Sequence, residues 1–164
     1  GVQTCALPIS ELHGLETVSL RYFNVFGPRQ RPDSQYAAVI PLFIDALRHG
    51  RPVEVHGDGL QSRDFTYVSD VVAGNLAVLD AAAEAVSGKV FNLAPGTTQS
   101  LLDLLGHLEG ILGVTAERIH TDPRPGDVRL SQADGRLLAE AVGFGCEVDF
   151  AEGLRRTVDW FAAR

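Results

Sequence analysis

Short runs rich in β-branched and aromatic residues alternate with stretches of helical periodicity along this chain, and this alternation restricts the possible fold most strongly. The first such run, residues 17–23, reads TVSLRYF and is followed by a loop. Apolar residues then recur at helical spacing over residues 36–49, where Gly50 ends the pattern. Because strands that alternate with helices tend to pair in parallel, the pattern predicts an α/β fold.

The same reasoning predicts the remaining elements. Strands are expected at residues 53–56 and 64–68, joined by the glycine turn 57–59, and at 89–93 and 118–121. Ser69 or Asp70 is expected to cap a helix to about residue 85, and Ser100 one over 101–112 that Gly113 stops. Two later helices are expected, one capped by Asp134 and reaching about 142, the other over about 151–162.

Composition excludes several classes of function. A length of 164 residues suits one domain or a large piece of a bigger one, and 45% hydrophobic residues suffice for a core. The formal net charge of -7 argues against nucleic acid as a partner, since phosphate binding needs a basic face. No apolar run reaches membrane-spanning length, and no basic signal peptide is visible. Two cysteines, Cys5 and Cys146, do not form a secreted disulfide framework, so a cytoplasmic location is expected.

The segment LRYFNVFGPRQ, residues 20–30, lies where the first strand is predicted to end and a polar loop begins. Ligands of open α/β sheets bind beyond the carboxyl ends of the strands, so Phe23 and Asn24 fall at a candidate ligand position. An aromatic ring can pack on a planar ligand, and an asparagine offers both a donor and an acceptor. The alternative is a core aromatic followed by an asparagine that only holds a turn.

Two later segments place an arginine beside a glycine turn. Arg63 follows the turn 57–59, and Arg124 lies in the Arg-Pro-Gly-Asp sequence that ends at Asp127. A guanidinium presents a planar fork of donors that matches phosphate oxygens, while a carboxylate can accept hydrogen bonds from sugar hydroxyls. The alternatives are a surface ion pair between Arg63 and Asp64, and a simple turn around Arg124 with incidental charges.

Other chemistry has little support. The five histidines show no metal-ligand spacing, so no metal site is expected. Cys146 has no basic neighbour close in sequence and is predicted to be inert, and no serine lies in a nucleophile-elbow pattern.

Taken in order, these segments resemble the C-terminal half of the extended short-chain dehydrogenase/reductase family, which includes nucleotide-sugar epimerases, dehydratases and decarboxylases. The resemblance lies in LRYFNVFGPRQ, YAAVIPLFI, GDGLQSRDFTYVSDV, FNLAPG, RPGDVRLSQAD and EGLRRTVDWF, which together extend over residues 20–161. It implies the C-terminal part of a Rossmann-like NAD-binding fold, interleaved with a smaller α/β substrate-binding domain, over residues 10–164.

The resemblance also implies roles for the first of these segments. Phe23 is expected near the nicotinamide of NAD, and Asn24 at the diphosphate or sugar of the substrate. The family's segment that packs along the nucleotide base corresponds to Ala38, Val39 and Ile40, which would act partly through their backbone.

The later segments are implied to bind the rest of the nucleotide. By resemblance, Arg63 and Arg124 hold phosphate and Asp127 holds the ribose. Ser131 corresponds to a position that lines the sugar near its C2 substituent.

Two parts of the family's pattern are missing from the chain. It contains neither the glycine-rich turn that cradles the cofactor diphosphate nor the catalytic Tyr-x-x-x-Lys pair. We therefore expect no catalytic residue among these 164 positions, and no epimerase activity from this chain alone. Residues 10–13 read as the tail of the helix that would carry the pair.

The first nine residues, GVQTCALPI, match the translation of a common sequencing adapter, and the chain contains no methionine. They resemble no structural element. We therefore expect residues 1–9 to be foreign to the protein, and the authentic sequence to start at Ser10.

For the complete protein, the resemblance implies an NAD-dependent 4-epimerase of UDP-hexoses or UDP-N-acetylhexosamines, which oxidises the sugar at C4 and reduces it again on the opposite face. It implies a homodimer as well. The alternatives are a 4,6-dehydratase or UDP-glucuronate decarboxylase of the same family, or a nucleotide-binding module without catalysis.

Overall fold

A computed structural model describes residues 2–31 and 38–163, and their packing divides the chain into two compact units that interleave along the sequence. The first unit consists of Gly1–Val25, Asp64–Thr97 and Gln132–Val148. The second unit consists of Phe26–Arg63, Thr98–Ser131 and Asp149–Arg164.

The first unit is built on two parallel strands and the helices beside them. Strands β1 (Val18–Tyr22) and β6 (Lys89–Leu93) pair in parallel, with Val18 opposite Lys89 and Tyr22 opposite Leu93. Its other elements are α1 (Val2–His13), β5 (Thr66–Tyr67), α3 (Val68–Leu79), α4 (Ala83–Val86) and α6 (Arg136–Val142). The short strand β2 (Val25–Phe26) spans the boundary with the second unit.

The core of the first unit forms where α3, α4 and α6 cover this pair of strands. Its buried members are Val78, Val86, Phe91, Leu93 and Leu138. Buried Phe91 and Leu93 lie on one face of β6 and half-buried Val90 and Asn92 on the other, so both faces are at least partly covered. Such burial of a strand on two faces is typical of parallel α/β sheets, and the predicted α/β class is confirmed.

In its described residues, the second unit contains three helices and five short strands. The helices are α2 (Val39–Arg48), α5 (Leu101–Leu112) and α7 (Phe150–Ala162). The strands are β3 (Val53–His56), β4 (Ser62–Asp64), β7 (Thr98–Ser100), β8 (Arg118–Thr121) and β9 (Leu130–Ser131). β3 pairs in parallel with β8, and β4 lies between β7 and β9, parallel to β9.

Helix α5 is central to the second unit, where it packs against α2 and α7. Its Leu104, Leu105 and Leu108 are fully buried, as is Leu154 of α7. Ser100 caps α5 as predicted: its hydroxyl accepts the backbone N–H of Asp103, whose carboxylate in turn accepts the N–H of Ser100. Gly113 ends the helix with a φ of +67°.

Several boundaries differ from the prediction. The strands flanking the glycine turn do not form a hairpin, because β3 pairs with β8 and β4 pairs with β7 and β9. Gly57 and Gly59 both have positive φ, and the chain leaves their turn for a different sheet. The predicted strand 64–68 is divided between β4 and β5.

The predicted caps of two helices are also wrong. α3 begins at Val68 and has no side-chain cap, because the carboxylate of Asp70 turns inward and accepts the backbone N–H of Val148. α3 ends at Leu79, and the separate turn α4 follows it. Gly135 occupies the N-cap position of α6, one residue after the predicted Asp134.

The prediction that residues 1–9 form no structural element is wrong. α1 includes residues 2–9, with Pro8 inside the helix, and ends at His13, so the helical tail predicted at residues 10–13 is confirmed. The predicted helix 36–49 corresponds to α2, and its first two positions lie outside the described residues.

The first unit exposes an apolar stripe on α3, formed by Val72, Leu76 and Leu79 at helical spacing. Within the described residues, β1 and β6 form a sheet of only two strands. Among the same residues, none of the helices has both the length and the apolar character needed to cross a membrane.

Two glycine substitutions test the packing of these helices. A Cβ added at Gly74 in α3 would overlap Cδ1 of buried Leu93, so Gly74→Ala should lower the free energy of unfolding by about 1–3 kcal/mol. A Cβ at Gly106 in α5 meets nothing within 4 Å, so Gly106→Ala should raise it by about 1 kcal/mol. Urea unfolding followed by circular dichroism measures both. Equal effects of the two substitutions would contradict this account of the packing.

Candidate functional site

The two residues predicted at a ligand edge, Phe23 and Asn24, directly follow β1. Because β1 and β6 are parallel, the loop that begins at Ala94 leaves the same edge of the pair. Phe23 is half-buried and Asn24 is exposed. The structure therefore places both residues where ligands of α/β sheets bind.

Asn24 also holds the turn itself. Its backbone has a φ of +34°, a conformation that asparagine tolerates better than most residues. Its Nδ2 donates to the backbone oxygen of Asp64 at 2.8 Å, and its own carbonyl accepts the N–H of Thr66 at 3.4 Å. Within the described part of the chain, Oδ1 of Asn24 makes no hydrogen bond, which leaves this oxygen for a ligand. The turn-holding alternative and the ligand role are thus compatible.

Asp64 was not singled out in the sequence as a member of the site. Its carboxylate is fully buried, and Oδ2 accepts the backbone N–H of Ala133 at 3.1 Å. The second oxygen, Oδ1, is buried without a hydrogen-bond partner among the described residues. Burial raises the pKa of Asp64, against the opposing effect of the hydrogen bond from the Ala133 amide. The sequence contained one sign of this burial. Arg63 and Asp64 are neighbours in a predicted strand, where adjacent side chains point to opposite faces, so one of the two charges had to face inward.

A cleft of about 680 Å³ lies in the first unit beyond the end of β6. Asn92, Gly96, Gln132, Asp134 and Cys146 are among the residues that line it. Gln132 and Asn92 donate across it to the backbone oxygens of Gly96 and Asp134. Burial raises the pKa of the Cys146 thiol to about 12, with further contributions from Asp70 and Asp64, which supports the expectation that Cys146 is inert.

In the second unit, Arg63 lies on β4 directly opposite Ser131 of β9. Its Nη2 pairs with the carboxylate of Asp127, and its Nη1 donates to the backbone oxygens of Ser62 and Val128. The suggested ion pair with Asp64 does not form, because Asp64 is buried and hydrogen-bonded elsewhere.

These contacts orient the Arg63 guanidinium. Only 17% of the side chain is exposed, and three acceptors hold the fork in one plane. A guanidinium has five N–H donors, so Nε–H and one N–H of Nη2 remain for a ligand. A pre-oriented fork loses less entropy when it binds phosphate oxygens than a free side chain does.

Arg124 and Asp127 lie in the loop between β8 and β9. Gly126 has a φ of +79°, and the Asp127 N–H donates to the Arg124 carbonyl at 3.1 Å, which closes a tight turn. Arg124 is exposed, and its side chain makes no hydrogen bond or ion pair with residues 2–31 or 38–163. The site therefore has one oriented arginine and one arginine open to solvent.

The start of α2 contains the three residues implied to pack along the base. Ala38 is the N-cap residue, exposed and without a side-chain cap bond, and Val39 is half-buried. Ile40 is only 1% exposed, because its side chain belongs to the core of the second unit. Because this value covers the whole residue, Ala38 and Val39 offer most of the accessible surface at the start of α2.

The structure groups the predicted residues by unit. Arg63, Arg124, Asp127 and Ser131 come together within the second unit, through the pairing of β4 with β9 and the turn before β9. Phe23 and Asn24 belong to the first unit. Among the described residues, no group of three or more histidine, cysteine or acidic side chains is placed to hold a metal ion.

Comparison with known proteins identifies the family. Residues 2–94 match the NAD dependent epimerase/dehydratase family, which is more than half of the chain. A putative UDP-glucose 4-epimerase of Methanocaldococcus jannaschii is 37% identical over 151 residues, or 92% of this chain and 47% of that protein. This chain belongs to the NAD dependent epimerase/dehydratase family, and it spans about half the length of the curated relatives it matches.

Two solved structures share the fold closely. The UDP-glucose 4-epimerase of Thermotoga maritima, with UDP-glucose, is 34% identical with a TM-score of 0.92, over 98% of this chain and 50% of that one. The UDP-N-acetylglucosamine 4-epimerase of Methanobrevibacter ruminantium, in complex with UDP-N-acetylmuramic acid, is 40% identical with a TM-score of 0.88, over 98% and 51%. The predicted Rossmann-like fold class is confirmed.

Substitutions of Asp64 test whether burial raises the pKa of its carboxyl group. The folded chain keeps this proton to a higher pH than the unfolded chain, so the contribution of Asp64 to stability is largest below 3.8 and falls as pH rises through the folded pKa. Asp64→Asn keeps an acceptor for Ala133 and should lack this fall. Asp64→Ala should lower the free energy of unfolding by about 1–3 kcal/mol, because the Ala133 N–H loses its partner.

Urea unfolding of the wild type and both variants between pH 4 and pH 8 measures these differences. A difference in unfolding free energy between the wild type and Asp64→Asn that stays constant from pH 4 to pH 8 would contradict the raised pKa.

Proposed function

We propose that this chain forms the nucleotide-sugar-binding half of an NAD-dependent UDP-sugar 4-epimerase. The observation that carries the proposal is the cluster in the second unit, where Asp127 and two backbone oxygens orient the Arg63 fork. Arg124 lies exposed in the adjoining loop, without a side-chain partner among the described residues. Two arginines close to one turn can donate charge-assisted hydrogen bonds to the oxygens of a nucleoside diphosphate. The UDP-sugar 4-epimerases among the relatives support this substrate class.

Each side chain has a distinct part in binding. The two free N–H groups of Arg63 donate to phosphate oxygens, and Arg124 closes on the diphosphate from the loop. Asp127, already in contact with Arg63, accepts hydrogen bonds from the ribose hydroxyls. Ser131 lies opposite Arg63 on β9 and lines the sugar, while Ala38, Val39 and the backbone of Ile40 flank the base.

NAD, when bound, accepts and returns the hydride of the sugar C4. Of the residues in this chain, Phe23 fits a place beside the nicotinamide ring, because it is a half-buried aromatic at the carboxyl end of β1. Asn24, with its free Oδ1, can position a hydroxyl of the sugar or an oxygen of the diphosphate.

This chain alone should not catalyse epimerisation. Its sequence has no Tyr-x-x-x-Lys pair, and Lys89, its only lysine, donates to the backbone of Glu84 and Ala85. Without a general acid/base, the proton of the C4 hydroxyl has no acceptor. We infer that the complete enzyme includes an N-terminal half that supplies this pair and the cofactor's glycine-rich turn.

Two further properties of the complete enzyme are proposed. A homodimer agrees with the family resemblance, and the exposed apolar stripe of α3 shows that the first unit has surface to bury. A cytoplasmic location agrees with the free, inert Cys146 and with the NAD dependence of the family. Gel filtration of the complete enzyme tests the first.

Binding of the diphosphate by Arg63 and Arg124, called the diphosphate clamp below, can be tested on this chain directly. The cluster of Arg63, Arg124, Asp127 and Ser131 belongs entirely to the second unit. Titration calorimetry with UDP should show binding, and Arg63→Ala or Arg124→Ala should weaken it roughly ten- to a hundredfold, as expected for a lost charge-assisted hydrogen bond. Arg63→Lys should recover only part of the loss, since an ammonium cannot replace the planar fork.

Arg155→Ala is the matched control, because Arg155 is an exposed arginine of α7 in the same unit. Unchanged UDP affinity in both Arg63→Ala and Arg124→Ala would assign these arginines to the fold alone.

Ser131 should determine whether N-acetylated sugars fit. The acetamido group at C2 needs space that a tyrosine ring would fill, and overfilling a packed pocket costs about 1–3 kcal/mol. A completed enzyme, with the N-terminal half of the Methanocaldococcus jannaschii relative placed before Ser10, allows kcat/KM to be measured. Ser131→Tyr should lower it roughly ten- to a hundredfold on UDP-N-acetylglucosamine but little on UDP-glucose.

Ser131→Ala, which removes only the hydroxyl, is the control for this experiment. Equal losses on both substrates in Ser131→Tyr would remove Ser131 from the specificity pocket, and full activity of the 164-residue chain without the added half would refute its proposed inactivity.

A further inference from the structure

The loop that carries Arg124 and Asp127 is not held by an apolar core. Residues 122–130 are all exposed, so burial contributes little to their order. A loop of this kind can present an arginine to a ligand only if polar contacts fix its path. The structure shows where these contacts are made: the glycine turn 57–59 and the first residues of β4.

The first contacts join the loop to Gly57. The Gly57 N–H donates to the carbonyl of Thr121 at 2.9 Å, and the Gly57 carbonyl lies 2.8 Å from Nδ1 of His120. Pro123 lies directly against Gly57, within 3.6 Å of where a Cβ would be. The start of the loop is therefore fixed against the turn.

Asp58 makes the contact at the far end of the loop. Its Oδ1 accepts the backbone N–H of Leu60 at 2.9 Å, which fixes the carboxylate within its own turn. Its Oδ2 accepts a hydrogen bond from Nη1 of Arg129 at 2.9 Å. The hydrogen bond from Leu60 and the charge of Arg129 both lower the pKa of Asp58, so the carboxylate is ionised at neutral pH.

Arg129 is held by its backbone as well. Its carbonyl accepts the N–H of Ser62 at 2.9 Å, immediately before Arg63 on β4. Its side chain and its backbone thus bind two points of one segment, Asp58 and Ser62. Arg124 and Asp127 lie between two fixed points of the loop, Pro123 and Arg129. The loop is therefore held on both sides of these two residues.

We propose that Asp58 and Arg129 are positioning residues, which form a clasp that holds the 122–130 loop in place and thereby sets the affinity for the nucleotide diphosphate without touching it. The proposal rests on the proposed function, because the loop's value to binding depends on Arg124 and Asp127. It adds two residues to the site that the sequence did not single out.

Two variants remove the clasp with little other change. Asp58→Asn keeps an oxygen for the Leu60 N–H and removes only the charge, while Arg129→Gln shortens and neutralises the other partner. Hydrogen–deuterium exchange without nucleotide should become faster over residues 122–130 in both variants. Calorimetry with UDP should show affinity about two- to fivefold weaker, the scale expected of an exposed ion pair.

Four further variants separate positioning from a general loss of stability. The double variant should be no weaker than either single variant, because both remove the same contact. Arg124→Ala should cost less affinity in the Asp58→Asn background than in the wild type, since Arg124 is then already misplaced. Arg129→Lys should recover part of the affinity, and Arg155→Gln, which breaks an exposed ion pair on α7, should leave affinity and exchange unchanged.

Support for the clasp requires faster exchange together with weaker UDP binding. Unchanged exchange, or faster exchange with unchanged affinity, overturns the positioning role while leaving the clamp by Arg63 and Arg124 intact. If the wild-type chain binds no UDP, the proposed function fails and so does the effect of the clasp on affinity; the exchange data then decide separately whether Asp58 and Arg129 order the loop.

Discussion

The candidate site depends on the parallel pairing of β4 with β9, two strands of three and two residues. This pairing places Ser131 opposite Arg63 and brings the preceding loop to the Arg63 guanidinium, where Asp127 and the Val128 carbonyl accept its donors. So few ladder hydrogen bonds contribute little stability on their own. The polar contacts around the pair, from the glycine turn to the clasp of Asp58 with Arg129, therefore matter as much to the site as the strands do.

Arg63 and Asp64 show how strand geometry divides two adjacent charges. Arg63 turns to the loop and keeps part of its fork free, while Asp64 turns inward and accepts the N–H of Ala133. A buried carboxylate with one unpaired oxygen costs free energy, and it persists here where it ties the segment after β9 to the residues that hold Asn24. A charge that serves binding and a charge that serves the fold thus occupy neighbouring positions.

Most elements could be predicted because their signals are local. The Ser100 cap, the Gly113 stop and the strand at Lys89–Leu93 depend on residues close in sequence, and all three were confirmed. The two strands joined by the glycine turn do not pair with each other, because the partner of β3 is β8, which follows more than sixty residues later. Asp70 failed as a cap for a related reason, since the backbone of Val148 competes for its carboxylate. Contacts between residues so far apart in sequence produce no periodic pattern from which they could be predicted.

The sequence by itself determined the α/β class, the order of the binding segments and the family, because periodicity, turn residues and motif order are properties of the chain alone. Tertiary structure alone decided which side chains remain available. Ile40 is buried in the core, and Arg63 is oriented by Asp127. Arg124 has no side-chain partner among the described residues, and Asp58 pairs with Arg129, seventy-one positions away. Burial and hydrogen bonding are competitions among all groups that folding brings together, so their outcome depends on neighbours that no local pattern specifies.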